Sequence, residues 1–149
     1  MKRNVVFATL LLVPLLAFSA PSTKGKGEPP TVAAVRACYA NMGEKNAEER
    51  GRCLNMELEL VRFEYKAVSD QVAAGARVQD KKAGNSMRWN KVIAAGQSFE
   101  NYVKRDCELV ETTTAGGKQT STNAGLACRI GHYRMRTSAL ANRHLERGN

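Results

Sequence analysis

The segment that decides the fold runs from residue 97 to residue 107 and reads Gln97-Ser98-Phe99-Glu100-Asn101-Tyr102-Val103-Lys104-Arg105-Asp106-Cys107. Its apolar residues belong to a longer pattern with steps of three and four, which predicts an amphipathic helix beginning near Ser86. The predicted buried face consists of Trp89, Val92, Gly96, Phe99, Val103, Cys107 and Val110. A cysteine therefore closes the buried face and can tie this helix to another part of the chain.

Four cysteines allow three disulfide connectivities. We favour Cys38–Cys53 and Cys107–Cys128, because each bond closes a local loop between neighbouring helices. Each bond would stabilise the fold by about 3 kcal/mol on a chain-entropy estimate. Together they predict an all-α fold, a small disulfide-stapled helical bundle of about four helices.

A metal site is the alternative use of the four cysteines. None of their spacings is Cys-x-x-Cys, and the two histidines, His132 and His144, both lie in the last predicted helix. We therefore predict no metal and no other cofactor.

The chain begins with a predicted secretory signal peptide over residues 1–19. Met1-Lys2-Arg3 is a short basic region, and the apolar run from Val5 to Phe18 is too short for a confident membrane span. We place cleavage after Ser19, with residues 20–30 as a flexible leader rich in proline and glycine and residues 31–147 as the folded domain. Export agrees with paired cysteines and predicts a periplasmic or secreted protein.

The clearest helical periodicity follows a predicted helix start near Asn46. Apolar residues recur there at steps of four and three, and we assign them to the core: Leu54, Leu58, Val61, Tyr65, Val68 and Val72. The same heptad spacing occurs in coiled coils, but three heptads in a disulfide-bonded domain favour an antiparallel helix pair. Cys53 lies beside the start of this stripe and can reach back to Cys38.

Two segments are predicted to be non-helical. Ala73 to Ser86 contains Gly75, Gly84 and a charged run, and we interpret it as a turn, into which the preceding helix can extend as a frayed end. Thr112 to Gly125 is rich in threonine and glycine, and we interpret it as a loop. The last helix is then predicted from about Leu126 to Glu146.

Trp89 is the only tryptophan in the chain. It has two interpretations, a platform on which a ligand stacks or a core anchor in a small domain, and we favour the core anchor.

The formal net charge is +9, and without Lys2 and Arg3 the remaining 21 basic residues exceed the 14 acidic residues by seven. Such a surface favours acidic partners, among which export excludes nucleic acid and leaves anionic lipid or an anionic envelope polymer. The last helix is strongly basic, and it either binds such a polyanion or forms a solvated outer face, which we favour. The candidate binding residues are Lys118, Arg129, Arg134, Arg136 and Arg143.

No catalytic motif is found in the sequence. Gly-x-Ser-x-Gly and His-Glu-x-x-His are both absent, and paired cysteines leave no thiol nucleophile. His132 has no acidic residue or serine close to it in the sequence, and Asp106 and Glu108 are expected to lie at the surface. We therefore predict a protein that binds and does not catalyse.

The cysteines and their contexts resemble a known family. Cys38-Tyr39, Cys53-Leu54 and the following helix with Leu58 and Tyr65 look like the first half of the lysozyme inhibitor LprI-like domain. Later segments look like the second half of that domain: Gln97-x-Phe99-x-x-Tyr102, Arg105-Asp106, Cys107, Gly116-Gly117 and Ala127-Cys128, followed by Arg136 and Leu140. In two respects the chain departs from the family, which usually has tryptophan at the position of Phe99 and a wider spacing between its Arg-Asp pair and the cysteine.

The resemblance covers residues 32–140 and implies a small exported helical domain that inhibits lysozyme or another peptidoglycan hydrolase. An inhibitor of this kind would place an exposed loop or an acidic side chain into the enzyme's cleft. The loop Thr112–Gly125 is the candidate. The alternative is a non-enzymatic accessory, adaptor or immunity protein, for example of a secretion system, which binds a partner protein or an anionic polymer through the basic last helix. The partner is expected to be a protein or an envelope polymer, with no membrane span after signal cleavage.

Overall fold

A computed structural model describes residues 35–38, 40 and 46–145 of the chain. Three long helices follow one another in this part: α1 (Ala47–Ala83), α2 (Met87–Thr113) and α3 (Lys118–Leu140). A short π-helical segment, Ala141–Leu145, continues α3. The regular structure of these residues is entirely helical, so the predicted all-α, disulfide-stapled bundle is confirmed. The predicted signal peptide and leader lie outside the described residues.

Helix α1 begins where the sequence predicts. Asn46 is its N-cap, and the side-chain Oδ1 of Asn46 accepts a hydrogen bond from the backbone N–H of Glu49 at 3.2 Å. Glu48 and Glu49 lie in the first turn, where a negative charge is favoured by the helix dipole.

The prediction of a turn over Ala73–Ser86 is wrong for residues 73–83, because α1 continues to Ala83, and the turn is confined to residues 84–86. Gly75 lies among alanines, which are the strongest helix formers, and their propensity offsets its cost of about 1 kcal/mol. The helix ends instead at Gly84, which has φ +67° and donates its N–H to the carbonyl oxygens of the last turn.

The three helices run in alternating directions, so that α1 and α3 are parallel and α2 is antiparallel to both. Helix α3 packs against both of the others, most extensively against α1. The predicted core face of α1 is buried except for Val68, which is half-buried. The core also contains, from the other two helices, Val103, Cys107, Leu126, Ile130, Tyr133 and Leu140.

An aromatic cluster joins the three helices near their middle. The ring centres of Tyr65 and Phe99 are 5.2 Å apart, those of Tyr65 and Tyr133 are 5.4 Å apart, and those of Phe99 and Tyr133 are 5.7 Å apart. The rings are tilted or edge-to-face, the arrangements that aromatic pairs favour. This cluster fixes the relative rotation of the helices.

Both predicted disulfides are present. Cys38 is bonded to Cys53, and Cys107 is bonded to Cys128. The first bond ties the helical residues 35–38 to α1, and the second ties the end of α2 to α3. The sulfur of Cys107 lies in the fully buried part of the core.

The prediction of a loop over Thr112–Gly125 is wrong for most of that segment, because α3 begins at Lys118. Only residues 114–117 connect the helices, and Gly116 and Gly117 have φ values of +112° and +89°, which favour glycine. The first turns of α3 are held by polar contacts with distant residues. The amide of Asn123, which is only 2% exposed, donates to the carbonyl oxygen of Ala47 at 2.9 Å.

Among the described residues, none of the helices has an apolar stretch of the length and hydropathy needed to span a membrane.

Candidate functional site

The turn between α1 and α2 is built around a buried carboxylate. Asp80, on the last turn of α1, is 2% exposed. Its Oδ1 accepts the backbone N–H of Arg88 at 3.1 Å, and its Oδ2 accepts the backbone N–H of Trp89 at 2.8 Å. Asp80 therefore satisfies two of the N–H groups that the start of α2 leaves unpaired, and it sets the angle between the two helices.

The ionised form of Asp80 is the one that this site favours. Burial by itself raises the pKa of the Asp80 carboxyl. The backbone N–H donors of Trp89 and Arg88 and the positive charge of Arg88 outweigh burial and hold that pKa below its ordinary value. The negative charge of Asp80 is therefore compensated within the protein by two backbone N–H groups and by Arg88.

The Trp89 side chain lies at this end of the hairpin. The guanidinium of Arg77 is 4.8 Å from the ring centre, a cation–π contact between α1 and α2. The prediction that Trp89 anchors the core is wrong, because the ring is half-buried and does not belong to the buried cluster. A groove of about 570 Å³ lies beside the ring and is lined by both helices, including Asp70, Arg77, Val78, Lys81, Trp89 and Ile93.

The hairpin end also carries a concentration of positive charge. We define it as residues 71–95, which contain five basic residues and one acidic residue, Asp80. The remainder of residues 46–145 contains eleven basic and ten acidic residues, so most of the excess charge of this part of the chain is at the hairpin end. The five basic side chains are exposed: Arg77, Lys81, Lys82, Arg88 and Lys91.

Exposed apolar side chains lie among these cations. Val78 is 57% exposed, Met87 61% and Ile93 39%. An aromatic ring beside apolar side chains and surrounded by cations can contact the carbon skeleton of a ligand while the cations pair with its negative groups. This combination makes the hairpin end the candidate binding site.

The structure does not bring the predicted binding residues of the last helix together. Arg129 pairs with Glu111 at 3.5 Å, and Arg134 pairs with Glu57 of α1. These two arginines are half-buried and hold α3 to its neighbours, so the prediction of a solvated outer face is wrong for them.

The other three predicted binding residues lie apart from one another. Arg136 is half-buried, and its guanidinium lies over the Phe99 ring at 5.6 Å. Lys118 and Arg143 are exposed at opposite ends of the last helix, about 37 Å apart along its axis. The basic character of this helix in the sequence therefore does not translate into one basic surface.

A second groove runs between α1 and α2 with Tyr133 of α3 at its base. One part encloses about 420 Å³, and both parts are lined by Glu59, Arg62, Glu100 and Tyr133. The Tyr133 hydroxyl donates to Oε2 of Glu100 at 2.5 Å. Burial, followed by this hydrogen bond and the negative charge of Glu100, raises the pKa of Tyr133 to about 12. Tyr133 is therefore protonated at neutral pH and acts there as a hydrogen-bond donor, not as a base.

A histidine and a carboxylate meet beside the second disulfide. Nε2 of His132 is 2.7 Å from Oδ2 of Asp106, and the Tyr102 ring contacts the imidazole edge-on at 5.1 Å. Asp106 was expected at the surface, and His132 had no acidic residue near it in the sequence, so the sequence offered no signal for this pair. The side chains of Asp106, Cys107, Cys128 and His132 are close enough to share a metal ion, but both sulfur atoms are in the disulfide. One imidazole and one carboxylate remain, fewer than the three or four ligands of protein zinc sites.

Comparisons with known proteins returned no match, whether to protein-family models, to curated proteins or to solved structures.

Proposed function

We propose that this chain is an exported, non-catalytic binding protein of the cell envelope, and that its hairpin end binds an anionic polymer. The observation that carries the proposal is the grouping of five exposed cations at the hairpin end, two of which, Arg77 and Lys81, line the Trp89 groove. The acidic residues nearby, Asp80 and Asp70, pair with Arg88 and Lys66. The disulfides are typical of a protein that works in an oxidising compartment, which supports a periplasmic or secreted location.

The site chemistry favours a polymer with a carbohydrate or other carbon skeleton and regularly spaced negative groups. The five cations extend over the last turns of α1 and the first turns of α2, so they suit a ligand with several charges better than a single small anion. The half-buried Trp89 ring adds a surface on which an apolar face of the skeleton can stack. The basic last helix is a weaker candidate, because its central arginines already pair within the protein.

Heparin, a sulfated polysaccharide, is the probe for this proposal, with the fluorescence of Trp89 as the reporter. We expect heparin to change the emission and to bind more weakly as salt is added. Replacing Lys81 and Lys82 together by alanine should weaken binding roughly tenfold.

The matched control removes the same charge elsewhere. Lys104 and Arg105 are exposed on α2 near the second disulfide, far along the helix from Trp89. Their double alanine variant should bind heparin with an affinity much closer to that of the unaltered protein. Equal losses in the two double variants would mean that net charge alone drives binding and would contradict an assignment to the hairpin end.

Inhibition of lysozyme or another peptidoglycan hydrolase is a second candidate, which rests on the family resemblance. The loop first considered for this role is mostly helix, so the groove based on Tyr133 takes its place. Its exposed carboxylates, Glu59 and Glu100, offer the acidic side chains that an inhibitor would place in the enzyme's cleft. The same groove is lined by Arg62, Lys104 and Arg129, so its charge as a whole does not complement that of basic animal-type lysozymes. If a molar excess of the oxidised protein leaves the turnover of such a lysozyme unchanged, this candidate fails for that enzyme.

A further inference from the structure

A second apolar stripe runs along the outside of α1. Met56 is 66% exposed, Leu60 59% and Phe63 75%, and the exposed Ala67 follows one turn later. Their steps of four, three and four match those of the buried stripe, but they point to the opposite side of the helix. Large apolar side chains that share one exposed face mark an interaction surface.

We propose that this stripe is the interface of an antiparallel homodimer of the chain. With the twofold axis between Leu60 and Phe63, Leu60 packs against the partner's Phe63. Met56 then packs against the partner's Ala67. A twofold interface of this kind uses the same surface on both copies, so one stripe is sufficient.

Charged residues beside the stripe favour the antiparallel direction. Glu59 and Lys66 flank it on one side, each directly before a residue of the seam. In the antiparallel pair, Glu59 lies opposite the partner's Lys66, and symmetry repeats this contact at the other end. Two complementary pairs therefore flank the contact on the side that faces the Tyr133 groove.

The parallel direction lacks this match. There, Glu59 would lie opposite the partner's Glu64, which places like charges side by side at the seam. On the other flank of the antiparallel pair, Glu64 approaches the partner's Glu57. Within each protomer, however, the charge of Glu57 is already neutralised by Arg134. Charge complementarity thus selects one of the two directions.

The contacts that these side chains make within a protomer are weak enough to be exchanged. Nζ of Lys66 pairs with Asp70 at 2.6 Å, and Arg62 pairs with Glu59 at 3.8 Å, but all four side chains are more than half exposed. Exposed pairs of this type contribute little to stability. Lys66 and Glu59 can therefore turn toward a partner at small cost.

The size of the stripe predicts a weak, concentration-dependent dimer. Met56 to Ala67 spans about 16 Å of helix, which places the interface at the small end of specific protein contacts. The antiparallel direction also places the two hairpin ends at opposite ends of the dimer. Each hairpin end could then hold a separate polymer strand.

Sedimentation velocity of the mature, oxidised protein over a range of concentrations tests the proposal. We expect a monomer–dimer equilibrium that Phe63→Glu weakens at least tenfold. Met135→Glu, at a 59% exposed apolar position on α3, is the control and should leave the dissociation constant unchanged. At concentrations where the unaltered protein is monomeric, thermal melts of both variants should match its own, because both sites are exposed.

Exchanging the charges of Glu59 and Lys66 tests the proposed pairing of these two residues across the dimer. Glu59→Lys and Lys66→Glu should each weaken the dimer, and the double variant should restore it, because the two pairs reform with reversed polarity. A protein that remains monomeric at all concentrations would overturn the proposal, as would a double variant weaker than either single one. Flotation of a monomeric protein with anionic phospholipid vesicles, lost in Phe63→Glu, would assign the stripe to a lipid surface and also overturn it.

Discussion

The guanidinium of Arg77 lies 4.8 Å from the ring centre of Trp89, so a cation near the end of α1 covers an indole at the start of α2. The two residues hold the hairpin end together and also form part of its positively charged surface. We predict that Arg77→Ala exposes the indole, shifts its emission to longer wavelength and lowers the free energy of unfolding by about 0.5–1 kcal/mol. Fluorescence and chemical denaturation measure both effects.

Lys91→Ala is the control for Arg77→Ala, because it removes the same charge at an exposed position of α2. It should weaken heparin binding without shifting the Trp89 emission. An emission shift of equal size in both variants would show that the Arg77–Trp89 contact does not determine the environment of the ring.

Asp80 should make the stability of the hairpin depend on acid pH. Its pKa is lower in the folded protein than in the unfolded chain, so its ionised form contributes stability above the ordinary carboxyl pKa near 4. That contribution is lost as the pH falls through the lower, folded pKa. We expect Asp80→Asn to lower the melting temperature at neutral pH by roughly 3–6 °C and to reduce the acid dependence.

The control for this experiment is Asp70→Asn, at an exposed carboxylate that pairs with Lys66 in the same helix. Its melting temperature should be nearly unchanged. If the melting temperature of Asp80→Asn follows the same pH curve as that of the unaltered protein, Asp80 does not stabilise the turn through its charge.

The fold of the core could be predicted from the sequence because its information is local and periodic. Leu54, Leu58 and Val61 repeat with the helical period, and the cysteine pairing follows from short loops, so both were predicted correctly. The end of α1 and the start of α3 were not, because alanine propensity carries α1 past Gly75 and a tertiary contact holds the first turns of α3. The side chain of Asn123 donates a hydrogen bond to the backbone carbonyl oxygen of Ala47, which lies 76 positions away. This bond stabilises the first turns of α3, and no local sequence pattern reveals it.

The candidate site was missed for a similar reason. Counting arginines along the last helix suggested a basic surface, but Glu57 and Glu111 on the other helices pair with Arg134 and Arg129. The hairpin end forms because α1 and α2 run together there, a pairing that lies beyond any local pattern in the sequence. The sequence carries a signal for this site, because residues 71–95 contain five basic residues and one acidic residue around Trp89. The predicted turn over Ala73–Ser86 assigned these basic residues to separate segments.

Tyr133 should make the stability of the folded protein fall at strongly alkaline pH. Its pKa is raised from 10.0 to about 12 in the folded state, so the stability it contributes is complete below pH 10. It is lost as the pH rises toward 12. We expect the tyrosinate absorbance of Tyr133 to appear only in that range, together with loss of helical signal. In Tyr133→Phe the stability should depend less on pH there, and an unchanged dependence would contradict this role.

Two helical glycines should respond in opposite ways to alanine. A Cβ at Gly125 would lie 2.8 Å from a carboxylate oxygen of Glu111 and 3.4 Å from the carbonyl oxygen of Cys107, so we expect Gly125→Ala to destabilise the protein by about 2 kcal/mol. Within the part of the chain that the structure describes, a Cβ at Gly75 would meet no atom within 4 Å beyond the backbone of its own helix, and Gly75→Ala should stabilise the protein by up to about 1 kcal/mol. Denaturant unfolding measures both, and a destabilising Gly75→Ala would contradict the long α1.

The most direct test of the central claim is to map heparin binding residue by residue by amide NMR of the oxidised, nitrogen-15-labelled protein. We predict chemical-shift changes that saturate together and are concentrated in residues 77–91, including the indole N–H of Trp89. Changes concentrated in residues 129–143 would return the binding site to the last helix. Either that result or the absence of any saturable change would contradict the assignment of an anionic-polymer site to the hairpin end.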